Sequence, residues 1–81
     1  MLVAALQSDA RVRLIAQIAD CDREIARLDK RRIALASGDH RYEATTPADT
    51  RRRRAHVQVC MDLIATRTAK AHLLDTLRST P

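Results

Sequence analysis

Four consecutive arginines, Arg51-Arg52-Arg53-Arg54, are the densest concentration of reactive chemistry in the sequence. Guanidinium groups bond bidentately to phosphates and carboxylates, and arginines outnumber lysines here thirteen to two. Four adjacent residues on a helix point in four directions, so the run forms a basic collar and not a one-sided stripe. Arg41 lies close enough in sequence to join it. The collar could meet nucleic-acid phosphates or an acidic protein surface, and its plain alternative is a solvated helix start. Nucleic-acid recognition finds little further support. Tyr42 is the single aromatic residue, so no rings interleave the basic run for base stacking. The helices described below are too long, and their link too loose, for a helix-turn-helix. Binding of this kind would be backbone-driven and steeply salt-dependent.

Cys21, Cys60 and His56 form the second candidate constellation. If the chain turns back directly after residue 36 and resumes at 47, facing residues have numbers summing to about 83, which sets the cysteines at nearly one level. His56 lies one helical turn from Cys60. A metal site is then geometrically conceivable, but three ligands are too few for a closed zinc site and no CxxC or paired-histidine motif supports it. The expectation is two small thiols packing the seam, with no metal and no cofactor. Asp20, Asp22 and Glu24 cluster on one helix beside Arg23 and Arg27, which account for them. His40 and His72 stand apart from any nucleophile and carboxylate, so no catalytic triad is supported.

Composition narrows the classes further. The chain has 81 residues, a formal net charge of +5, one glycine and two prolines. A β-sandwich needs more turns and more β-branched strand residues, and a nucleotide fold needs glycine-rich loops. Two cysteines do not make a disulfide scaffold, and no stretch reads as a membrane span or a secretory signal. A single all-α domain over residues 1–81, in the cytoplasm with reduced thiols, is the expectation.

Helical periodicity carries the organisation. From Leu14 the apolar positions Leu14, Ile18, Cys21, Ile25, Leu28 and Leu35 step by four, three, four, three and seven, as in a heptad seam, with Arg32 in the vacant slot. Asp20–Arg23, Glu24–Arg27 and Asp29–Arg32 sit three apart on the polar side. Gly38 offers a helix stop, so the first helix spans about 2–36, or starts after a cap at Ser8-Asp9. Residues 37–46 form a polar link. Thr46 as N-cap, Pro47 as first helical residue and Asp49 behind it open a second helix over about 47–78. Its apolar positions are Val57, Cys60, Met61, Leu63, Ile64, Ala71, Leu74 and Leu77, a broader stripe with Arg67 near its middle.

Two helices of similar length with a short link fold back as an antiparallel hairpin. With no Phe and no Trp, a lone hairpin is poorly supplied with apolar surface. The expectation is therefore a four-helix bundle, completed by dimerisation or by a partner's helices. The candidate interface comprises Leu14, Ile18, Ile25, Leu28 and Leu35 on the first helix. On the second it comprises Val57, Leu63, Ile64, Leu74 and Leu77. Arg32 and Arg67 either fix register within the seam or reach water at its edge. By the level rule above, Asp20 is the acid nearest Arg67.

Leu35, Gly38, Asp39 and Tyr42, set between two amphipathic helices, resemble the hairpin tip of the small co-chaperones that hold needle subunits of bacterial type III secretion systems. That resemblance covers about ten residues, and it implies a helical hairpin that pairs with a second chaperone. The Arg51–Arg54 run and the longer first helix depart from the family pattern. The reading that follows is a non-enzymatic interaction module (adaptor, chaperone-like or inhibitor) acting by helix–helix packing with arginine-mediated charge complementarity. The alternative is a basic dimer that contacts nucleic-acid phosphates through Arg51–Arg54 and Arg41.

Overall fold

The computed structural model describes the backbone of residues 2–36 and 47–81, and the side chains of 9–36 and 47–81. Helix α1 runs Leu2–Ala36 and helix α2 runs Pro47–Ser79, packed on one another as a hairpin. Both agree with the sequence reading to within a residue, and α1 begins at Leu2, not after Ser8. The proposed stop at Gly38 and the cap at Thr46 lie outside the described residues. Neither helix is long and apolar enough to cross a membrane.

The register of the two helices differs from the expected one. Arg11 donates from Nη1 to the Thr80 carbonyl at 2.8 Å. Lys70 Nζ meets Asp22 Oδ1 at 2.5 Å, and Leu28 clusters with Val59 and Leu63. Facing positions therefore have numbers summing to about 91, as Arg11 and Thr80 do. The physical reason lies in what each register would bury. At a sum near 83, Leu28 faces Ala55, Ile25 faces Gln58, Cys21 faces Asp62 and Leu14 faces Ala69. At 91, Leu28 levels with Leu63, Ile18 with Leu73 and Leu14 with Leu77. Large apolar side chains meet each other only in the second case, and burial selects it.

This register leaves overhangs. α2 starts about eight residues beyond the level of Ala36, so its first two turns, with Arg51–Arg54, project past the end of α1. At the far end the first turns of α1 project past α2. The resulting rod measures 65 × 16 × 15 Å, with a radius of gyration of 18.7 Å. A compact domain of this length has a radius near 12 Å.

The seam of α1 is the heptad stripe read from the sequence, with Leu28 buried and Leu14, Ile18, Cys21, Ile25, Arg32 and Leu35 half-buried. The seam of α2 is different from the stripe expected. It runs His56, Val59, Leu63, Thr66, Lys70, Leu73 and Leu77 and continues to Thr80 just past the helix, in alternating steps of three and four. Four of those eight are polar. Thr66 is satisfied within its own helix, its Oγ1 donating to the Asp62 carbonyl at 2.8 Å. Lys70 is neutralised by Asp22. Among the described residues no buried side-chain polar atom lacks a partner.

What remains is a very short core. Leu28, Val59 and Leu63 are 2%, 4% and 2% exposed, with Ile25 and Leu35 packed against them. Replacing Leu63 by Ala should therefore lower stability by about 2–4 kcal/mol. His72→Ala, on the exposed side of the same helix, should change it by less than about 0.5 kcal/mol. Urea unfolding followed by circular dichroism reads both.

Candidate functional site: the flanks of the hairpin

Antiparallel helices that share a seam bring like flanks together, so the hairpin has two distinct long sides. One is marked by the pair between Arg67 Nη2 and Asp29 Oδ2, 3.7 Å apart across the two helices. Along that side α1 presents Val12, Ile15, Ala19, Ala26 and Ile33, each one step round from the seam. α2 presents Val57, Cys60, Ile64, Ala71 and Leu74. Val12, Ile15, Ile33, Val57 and Ile64 are each more than half exposed. Met61 is equally exposed, a little further round α2.

The opposite side is charged. Arg27 Nε and Nη2 donate to Glu24 Oε2 and Oε1 at 3.0 and 2.5 Å, and Arg23 pairs with Asp20. Gln58 Nε2 donates to Asp62 Oδ1 at 2.9 Å on α2. The hydrogen bond from Arg27 holds the Glu24 carboxyl below its ordinary range. Glu24 in turn raises Arg27, first through that hydrogen bond and then through charge, with a further contribution from Asp62 on α2. These are exposed pairs that keep their side solvated and contribute little to stability.

The apolar side is interrupted near its middle. Asp22, Asp29, Arg67 and Lys70 form a belt across both helices, joined by the Lys70–Asp22 and Arg67–Asp29 pairs. Arg32 Nε adds a 3.3 Å contact to Asp29 Oδ1. Arg67 is 57% exposed, so it sits at the edge of the interface and reaches outward. Its acid is Asp29, not the expected Asp20, because the register is shifted.

The residues singled out from sequence distribute as follows. Leu28 and Leu63 are buried within the hairpin, and Leu14, Ile18, Ile25, Leu35, Leu74 and Leu77 are half-buried. Val57 and Ile64 stand on the open apolar side. Arg51, Arg52, Arg53 and Arg54 are all exposed on the α2 overhang. Arg41, Gly38, Asp39 and Tyr42 lie outside the described residues. Val59 and Leu73 were missed. Their signal was the strict three–four spacing from His56 to Thr80, which the polar side chains at four of its eight points conceal.

The shifted register also separates the cysteines. Cys60 levels with Arg31, ten residues from Cys21, a separation of about 15 Å along the axis. Both are free thiols. Cys60 Sγ lies 4.0 Å from His56 Nε2, a weak contact within one helix. An intrachain disulfide needs Cα atoms within about 7 Å, so the hairpin does not support one. Among the described residues no group of three or more His, Cys, Asp and Glu side chains could hold a metal ion. No family model, curated protein or solved structure matches the chain.

The charged side yields a pH prediction. A carboxyl held low in the folded state contributes stability above its unfolded pKa and loses it as pH falls through the folded value. In a carboxyl-detected NMR titration, Glu24 should stay ionised to lower pH than a free glutamate. Arg27→Ala should return it to the ordinary range.

Proposed function

We propose that the chain is a small non-enzymatic protein–protein interaction module, of the adaptor, chaperone-like or inhibitor kind, which completes its core by packing helix against helix. The finished form in this reading is a four-helix arrangement, reached by dimerisation or with a partner's helices. A cytoplasmic setting, where Cys21 and Cys60 stay reduced, belongs to the same proposal. One observation supports it above the others. Three side chains are buried among those described, while five large aliphatic side chains line one long side more than half exposed. Exposed apolar patches rimmed by polar residues in this way mark interaction surfaces. The accessible surface of 6420 Å² exceeds by roughly 1,500 Å² that of a compact protein of 9.1 kDa.

The test is affinity capture from the native host with the parent and a Val57→Asp/Ile64→Asp variant, each checked for helicity. The parent should hold a stoichiometric companion, either a second copy or another protein, and the variant should lose it while staying helical. Recovery of both as solitary, fully helical monomers would overturn the reading.

A second reading rests on the α2 overhang. Arg51–Arg54 are exposed and project beyond α1, which leaves them clear to approach a phosphate backbone. If all four contact phosphates of a short duplex, affinity should fall about 100-fold between 50 and 200 mM salt. Fluorescence anisotropy with the parent and an Arg51–Arg54→Ala variant measures this. A shallow salt dependence, or equal binding by the variant, would remove the nucleic-acid reading.

A further inference from the structure

We infer that the link-proximal end of the open apolar side takes an acidic amphipathic helix of another protein. Its aliphatic stripe lies against Ile33, Val57 and Ile64, and its carboxylates meet the arginine collar. This rests on the interaction reading above and names the partner's chemistry.

The first observation is where the charge sits. Residues 30–36 and 47–61 hold seven cations, Lys30, Arg31, Arg32 and Arg51–Arg54, against one acid, Asp49. Residues 2–29 and 62–81 balance, with seven cations and seven acids. The link adds Asp39, Arg41 and Glu43, so the linked end carries the chain's entire +5. Pairing follows the same division. Away from this end Arg23, Arg27, Arg67, Lys70 and Arg78 each have a carboxylate. At this end, among the described residues, only Arg32 has one, and the other six cations are exposed. Such a surplus of guanidinium is complementary to carboxylates brought from outside.

The second observation is what borders that charge. Val57 lies one turn from Arg53 and Arg54, and Ile33 one turn from Lys30. Ile33, Val57 and Ile64 are all more than half exposed. In the register of the hairpin Ile33 and Val57 are nearly level. From Ile64 to Arg51 the site extends about 20 Å, a little under four turns of helix. Antiparallel neighbours leave a shallow groove along each flank, which an amphipathic helix fills with its apolar ridge. The carboxylate at this level of the open side, Asp29, is held by Arg32 and Arg67, so approaching acids meet cations around it.

Together the two observations select among occupants. A phosphate backbone would pair the arginines and leave the aliphatic groups in water. A purely apolar helix would do the reverse. A second copy brings the same basic end and no acidic surplus, since its other charges balance. An anionic bilayer supplies both chemistries, but a rod lying on it would press Asp22 and Asp29 against like-charged headgroups.

The test pans a phage-displayed library of random peptides about fourteen residues long, the span of the site as a helix, over the full chain. Enriched peptides are then made synthetically and titrated by fluorescence anisotropy, beside a short duplex DNA and phosphatidylserine vesicles. The selected peptides should carry aliphatic residues at three–four spacing together with Asp and Glu. Arg51–Arg54→Ala and Val57→Ser/Ile64→Ser, each checked for helicity, should weaken them at least about tenfold. Arg13→Ala, on the charged side, should leave binding unchanged. Selection of no peptide, or of peptides without an acidic surplus, overturns the proposal, as does undiminished binding by either site variant. Tighter binding of the duplex or the vesicles than of the best peptide also overturns it. Host capture separates the two readings. A companion lost by Val57→Asp/Ile64→Asp but kept by Arg51–Arg54→Ala leaves the interaction reading standing without an acidic partner; no companion removes both.

Discussion

Half of the positions that α2 turns toward α1 are polar, and most other properties of the molecule descend from that. His56, Thr66, Lys70 and Thr80 occupy seam slots where Leu or Ile would close a two-stranded coil. Each is accommodated: Thr66 and Thr80 donate to the Asp62 and Thr76 carbonyls, Lys70 finds Asp22, and His56 lies 4.0 Å from the Cys60 thiol. Accommodation is not cohesion. Such groups avoid the penalty of an unmade hydrogen bond without adding apolar burial. Among the described residues only Leu28, Val59 and Leu63 exclude water. The hairpin is held in register by a few leucines and leaves its aliphatic side uncovered.

Register then sets the distribution of charge. Pairing Leu28 with Leu63 and Leu14 with Leu77 slides α2 by about eight residues relative to a tight turn. That slide carries Arg51–Arg54 past the end of α1, away from the level of Arg31 and Arg32, which lowers their mutual repulsion. The same slide places Arg67 and Lys70 beside Asp29 and Asp22, so that the middle of the open side is polar, with its carboxylates paired across the two helices. One packing choice thus produces the basic overhang and the charged belt together. It also parts the two cysteines, which a shorter register would have brought level.

Much of this was legible in the residue types. The helix limits follow from Pro47 and from unbroken periodicity on either side of the polar link, and α1's seam is carried by six apolar residues at heptad spacing. α2 defeats the same reasoning for a physical cause. Its inward seam is half polar, while Val57, Ile64, Ala71 and Leu74 form a second stripe beside it, so apolar periodicity points between the two. That periodicity passes over Val59 and Leu73, and it groups Val57 and Ile64 with Leu63 although they face another way. Register was beyond reach from helix limits alone, because it depends on which side chains meet across the seam and not on where the chain turns. The arginine collar was visible as a motif, yet its projection beyond α1 emerges only from the packing.

The central proposal is that this fold is completed by association over its aliphatic side, through dimerisation or with a partner's helices. The midpoint of thermal unfolding, followed by circular dichroism at a series of concentrations of the chain and of its captured companion, addresses it most directly, because a fold completed by association gains stability by mass action. The account predicts a midpoint that climbs steadily with concentration. A sharp transition at one temperature throughout the series would contradict it.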